Sequence, residues 1–473
     1  MKYLKLLSAF FIASLAFVAC SDDDKDGSVR WERKSLFLSY GESVTVGIGG
    51  ENISSYSIYS VPKGWEKPVI DRQTMTVTVV APEAPADTVA VSGDIKLNGI
   101  THGAESVYAN LFVSLDTPEV DFTAQPANSY LATKGGALYR FNGRVKGDGS
   151  ALQTESVSVI WQTSTNFVKY LQLEQDGSVS FFLANDSEDE TKIREGNAVI
   201  AAYDAAGEII WSWHIWATDY DVEAEALDYG DYTVMSRALG QLENATEDKT
   251  SILASYGLYY QWGRKDPFAG PSLYNASKGV TATLYDGDTN VVIISPVEAT
   301  AETGNYAYTN AHPMHFITVK DKNAAWNQSI TTEVKGWENT QQKSVNDPCP
   351  YGWRVAPAEA FEGLTISDDL TATDASTKYA EQYGWTLKKN EVESFYFAGG
   401  RRVYADALIQ NIFDESLTRN AATEAQPWVG YNWTADGKVF AFWFNKQAPA
   451  ESSLRNDLKF STANGMMVRC VKE

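Results

Sequence analysis

"GNAVIAAYDAAGEIIWSWHIWATDY", residues 196–220, consists of two apolar runs separated by five turn-forming residues, Asp204-Ala205-Ala206-Gly207-Glu208. The pattern predicts a β-hairpin. Side chains along a strand alternate between faces, so Trp211 and Trp213 share one face while His214 and Trp216 share the other. Large rings on both sides predict a strand covered on both faces. His214 then reads as a buried, hydrogen-bonded histidine rather than a metal ligand, because no second histidine or cysteine stands near it.

Working outward, residues 117–220 carry three more segments of this kind, "GGALYRFNGRV", "SVSVIWQTS" and "KYLQLEQDGSVSFFLA". Upstream, residues 29–116 alternate short β-rich pieces with turn residues, including "ESVTVGIG", "TMTVTVVAP" and "DTVAVSGDIKLNG". Both stretches predict β-sandwich units, joined at Asp116-Thr117-Pro118, where proline ends strand pairing. Beyond Asp221 the chain turns to long loops rich in Tyr, Trp, Asn and Gly. Helical patterns are confined to residues 251–260, 358–364 and 376–383, so 221–473 is expected to be α+β. The fold class expected is mainly β and multi-domain, two immunoglobulin-like β-sandwich units followed by an α+β module.

The N-terminus begins with Lys2 and Lys5 and runs apolar, apart from Ser8 and Ser14, from Leu6 to Ala19. This is a signal peptide, shorter than the roughly 20 apolar residues of a spanning helix. Phe17-Val18-Ala19-Cys20 resembles a bacterial lipobox, with Phe where Leu is usual. The resemblance implies removal of residues 1–19 and acylation of Cys20, a lipid anchor in the outer membrane. The alternative is an ordinary secretory signal with a chance cysteine. The acidic tether 20–28, with Asp22, Asp23, Asp24 and Asp26, is similar to the export tag of Bacteroidetes surface lipoproteins, and also reads as a solvated linker.

The 473 residues carry a formal net charge of -22. Such a surface repels phosphate backbones and anionic head groups, so nucleic acid is excluded as an expected partner and membrane attachment falls to the lipid. With Cys20 acylated, Cys349 and Cys470 remain as an even pair in an oxidising compartment. A structural disulfide is expected; a reactive thiol would want a basic helper, and none is near in sequence.

"YTVMSRALGQ" (232–241), "YGLYYQWGRKDPF" (256–268), "NDPCPYGWRVAPAEAF" (346–361), "YNWTAD" (431–436) and "VRCVKE" (468–473) together resemble, in that order, the Fibrobacter succinogenes major paralogous domain. The resemblance covers 221–473 and implies a C-type-lectin-like fold on a Bacteroidetes surface lipoprotein. Ser236, Ala238 and Ala356 depart from the family's usual residues. The order of signal, lipobox, sandwiches and module is similar to that of fimbrial tip and accessory subunits, which implies adhesion and fimbrial partners.

Catalytic patterns are sparse. Four histidines, His102, His214, His312 and His315, are available, and neither Gly-x-Ser-x-Gly nor a phosphate-binding glycine loop occurs. "HPMH" (312–315) would bring two imidazoles together on a helix, but Pro313 favours an extended turn. Asp286, Asp288 and Asn290 in "YDGDTN" alternate like the start of a calcium loop without its downstream Gly and Glu, and equally suit a polar hairpin tip. The sugar-binding strings of calcium-dependent lectins are missing. No enzyme and no cofactor is expected. The function expected is a non-catalytic adhesin or fimbrium-associated protein that binds a protein or glycan ligand. The alternative is a glycan-capturing lipoprotein of a polysaccharide-utilisation system.

Overall fold

The computed structural model describes residues 27–189, 191–245, 248–271, 273–275, 279–281, 283–328, 336–337, 343–367, 383–412, 428–443 and 452–473. Cys20 and the tether up to Asp26 lie outside them. The chain divides into two compact units, Met1–Val120 with Tyr170–Gln172, and Asp121–Lys169 with Leu173–Glu473.

In the first unit, two four-stranded sheets share one core. One orders Ser28–Trp31, Ser43–Glu51, Thr76–Val80 and Ile70–Asp71; the other orders Ser35–Leu38, Ser106–Leu115, Ser92–Thr101 and Ile53–Ser60. Ile95 and Leu97 alternate with polar neighbours, and Leu111, Val113 and Leu115 alternate with the less buried Phe112 and Ser114, so every second side chain turns inward. They meet Val46, Ile48, Val77 and Val79 of the opposite sheet, with Trp31 and Trp65 completing the cluster. The Trp65 indole keeps its N–H satisfied by donating to the Ala90 carbonyl at 2.8 Å.

The second unit is built around the hairpin. Gly196–Tyr203 and Ile209–Ala217 pair antiparallel, and Asp204 and Glu208 close the turn with an N–H to carbonyl bond of 3.0 Å. The turn needs a left-handed residue, which Gly207 supplies at φ +80°. Every residue from Trp211 to Ala217 is buried, so both faces are covered as the ring pattern predicts. The hairpin occupies the middle of a six-stranded sheet ordered Ser129–Ala132, Ile209–Ala217, Gly196–Tyr203, Ser156–Gln162, Leu284–Tyr285 and Val291–Val292. Gln162 pairs with Tyr285, so strands from beyond residue 221 complete a sheet begun before it. One hydrophobic cluster likewise joins Trp161, Val199 and Trp216 to Trp353, Trp433 and Val468. The core is therefore continuous through residue 220, where the sequence changes texture.

The expected helix over 251–260 is a single six-residue helix, Lys249–Ala254, capped by the Asp248 carboxylate. Residues 358–364 hold one 3-10 turn, Ala358–Phe361. A helix the sequence pattern does not mark spans Tyr306–Ala311. The pattern over 376–383 falls, apart from Tyr383, outside the described residues. The regular structure of the described chain is mainly strand arranged in several sheets, with short helices a minority.

Candidate functional site

The segment 343–355 is fixed from three directions. The buried Asp347 carboxylate accepts the N–H of Cys349 at 2.8 Å and of Val355 at 2.9 Å. On the carbonyl side, the half-buried Lys343 ammonium donates to Pro350 at 2.6 Å, to Trp353 at 2.9 Å and to Cys349. Burial pushes the Lys343 ammonium below its ordinary range while Asp347 opposes the shift, and burial pushes the Asp347 carboxyl up while Lys343 opposes that. The third restraint is covalent. Cys349 and Cys470 form a disulfide, as the cysteine count predicts, and Cys470 pairs with Val355 across the final strand.

These restraints hold Tyr351 at a turn tip, where it is 54% exposed, while Trp353 two residues later is buried. Gly352 between them has φ +76°, a conformation that glycine adopts at least cost. Tyr351 and Trp353 form one wall of an open cleft of about 520 Å³. Phe122 and the buried Tyr130, whose rings stack at 5.5 Å, form a second wall. Asp219, Asp221 and Glu223 contribute three carboxylates, and Gln125, Ser129 and Thr133 add neutral polar groups.

Local turns position the carboxylates. Asp221 Oδ1 accepts the N–H groups of Glu223 and Ala224 at 3.2 and 3.0 Å. Asp219 pairs with Arg237 at 3.3 Å, and Glu223 with Lys472 at 2.5 Å. Behind the cleft, Ser129 contacts the His214 Nδ1 at 3.2 Å. The His214 Nε2 lies 2.9 Å from Asn197 Oδ1, and the Asn197 amide nitrogen donates to the Gly240 carbonyl at 2.9 Å. That orientation of the amide leaves its oxygen facing His214, so Nε2 carries the proton and Nδ1 accepts from Ser129. Burial pushes the His214 pKa down to about 3.

The two histidines of "HPMH" do come together, with rings stacked at 4.8 Å, one ending the helix Tyr306–Ala311 and the other starting a strand. His315 Nδ1 is engaged with the Tyr308 hydroxyl at 2.9 Å. Asp286, Asp288 and Asn290 form the tip joining Leu284–Tyr285 to Val291–Val292. There the Asp286 carboxylate accepts N–H groups from Asp288 at 2.9 Å and Asn290 at 2.8 Å, plus the Asn290 side-chain amide at 3.0 Å. Among the described residues, no three His, Cys, Asp or Glu side chains converge on a point that could hold a metal ion.

Sequence reading missed a buried ionic trio. Lys265 donates to Ser212 and to Asp266 at 2.6 Å, Ser212 donates to Asp266 at 2.5 Å, and the ammonium lies 4.5 Å from the Trp211 ring centre. A lysine beside a serine is a nucleophile arrangement, but here each member is at most 3% exposed, which keeps substrates away. The signal was present in "GRKDPF", three charges inside an aromatic stretch.

No family model matches the sequence. No curated protein matches it either. Among solved structures, the chain is similar to the D00-D0 domain of Intimin at 10% identity over 40% of this chain and 96% of that one, with a TM-score of 0.15. It is also similar to the extracellular cadherin domains 1–4 of Protocadherin Gamma B7, at 9% identity over 41% of this chain and 50% of that one, TM-score 0.15. A third is the N-terminal eight Ig domains of Down Syndrome Cell Adhesion Molecule, at 12% identity, 41% of this chain and 27% of that one, TM-score 0.14. At these scores the likenesses carry no argument about fold or function.

Proposed function

We propose that this chain is a non-catalytic binding protein of the cell surface, lipid-anchored through Cys20 to the outer membrane of a Bacteroidetes cell, and that it serves as an adhesin or fimbrium-associated subunit. The observation that carries the reading is the cleft of the second unit, an open cavity with an exposed ring at its rim, on a turn held by a disulfide, a carboxylate and an ammonium. Rigid support beneath an exposed aromatic side chain is what a binding surface needs to limit the entropy lost on association. The lipobox-like Phe17-Val18-Ala19-Cys20 and the acidic tether support anchoring and outward display. The motif order over 221–473 supports a C-type-lectin-like module for the binding end.

A glycan-capturing role in polysaccharide utilisation is the second reading, favoured by the cleft volume, which suits a small ligand better than a flat protein patch. The test uses cells that display the full chain, with Cys20→Ser and Tyr351→Ala variants, probed on host-protein and glycan arrays. Loss of membrane attachment with Cys20→Ser and loss of array binding with Tyr351→Ala support the proposal. Unchanged binding with Tyr351→Ala, or turnover of a glycoside or peptide by the purified chain, overturns it.

A further inference from the structure

Five aromatic side chains and three carboxylates line the cleft, and no lysine, arginine or histidine does. We propose that it receives a cationic side chain, lysine or arginine, presented by a protein partner. This rests on the reading of the cleft as the ligand site and narrows it to one ligand chemistry.

The carboxylates are unequal. Asp219 and Glu223 each have a basic partner placed outside the lining, Arg237 and Lys472. Asp221 has none among the ion pairs of the described residues; its turn bonds from Glu223 and Ala224 occupy one oxygen and hold the charge in place. The three acids line the cavity without converging as metal ligands do. Dispersed carboxylates suit a bulky organic cation, whereas a metal ion requires donors within about 2–2.6 Å of one point.

The rings add the complementary half. An aromatic face is the negative side of a quadrupole and attracts an ammonium or guanidinium held over it. Tyr351 presents an exposed ring and Phe122 a half-buried one at the same cavity. Tyr130, also at the cavity, has a buried hydroxyl that makes no hydrogen bond of good geometry; only a weaker contact with the Ala127 backbone offsets its burial. The net charge of -22 steers a basic partner toward the protein at low salt.

The test is calorimetric titration of the Cys20→Ser full chain with Nα-acetyl-lysine amide and Nα-acetyl-arginine amide. The neutral isostere Nα-acetyl-norleucine amide and methyl β-glucoside serve as comparison ligands. The charged amides are expected to bind at least about tenfold more tightly than norleucine amide, and to weaken as salt is raised. Asp221→Asn retains the turn acceptor and removes the charge, and Tyr351→Ala alters an exposed ring; each is expected to cost about tenfold in affinity at unchanged melting temperature. Binding of norleucine amide or glucoside as tight as that of the cations overturns the charge inference and leaves the cleft reading standing. Cation binding undiminished in both variants overturns the inference, because the site then lies elsewhere. If none of the four probes binds, the inference fails, while the cleft reading is decided separately by the array binding of Tyr351→Ala.

Discussion

Asp347 Oδ2 accepts the backbone N–H of Val355 at 2.9 Å while the other oxygen of the same carboxylate takes Cys349, so one buried side chain spans both ends of the Tyr351 turn. Replacing it with Ala strands two buried N–H groups and removes the stronger of the two negative charges, Asp347 and Glu473, that favour the Lys343 ammonium. Asp347→Ala should destabilise the second unit by about 3 kcal/mol or more. Urea unfolding followed by tryptophan fluorescence checks this, and a loss below 1 kcal/mol would contradict the assignment.

The disulfide separates its cysteines by 121 residues, a loop long enough that opening it returns substantial entropy to the unfolded chain. The double variant Cys349→Ser/Cys470→Ala should lose up to about 5 kcal/mol. Calorimetry with and without reductant reads the effect, and peptide mass mapping shows whether the two cysteines are joined.

His214 sets a pH dependence whose sign is fixed. Its pKa is about 3 when folded and the ordinary 6.5 when unfolded. Below pH 6.5 the unfolded chain takes up a proton that the folded chain refuses, so stability present above 6.5 falls as pH drops toward 3, by at most about 1.4 kcal/mol per unit. His214→Gln should flatten that slope between pH 6 and 4. An unaltered slope would mean that carboxylates alone set it.

Gly352 offers a purely conformational test. At φ +76° an added Cβ meets no atom within 4 Å, so Gly352→Ala has no steric clash to relieve and should cost only the left-handed strain, about 1 kcal/mol. Gly352→Asn should cost less. A loss of several kcal/mol would show that the turn is held against some other contact.

Much of the fold is legible where the signal is local. The ring alternation of Trp211 to Trp216 predicts a strand buried on both faces, the Asp204–Glu208 turn marks the hairpin, and the count of cysteines pairs Cys349 with Cys470. What local pattern cannot carry is partnership at a distance. Ser129–Ala132 runs parallel to the tryptophan strand, and Tyr285 pairs with Gln162, although nothing in either segment names its neighbour. The cleft has the same character. Its walls come from residues 122–133, 219–223 and 350–353, three stretches that become a site only after the sheets assemble. Asp347 and Lys343 were equally silent, because a charge that satisfies backbone groups looks in sequence like any surface charge.

The Cys349–Cys470 link also bears on how the chain behaves under tension. If the protein is pulled by its two ends, the load crosses the disulfide and bypasses the residues between, so roughly 400 Å of contour length stays locked. In a force-extension trace the final rupture should therefore come early, and mild reductant should restore the missing extension. The sheets outside the loop are not protected in this way: once they give way the chain before Cys349 extends freely, and only the length inside the loop stays closed.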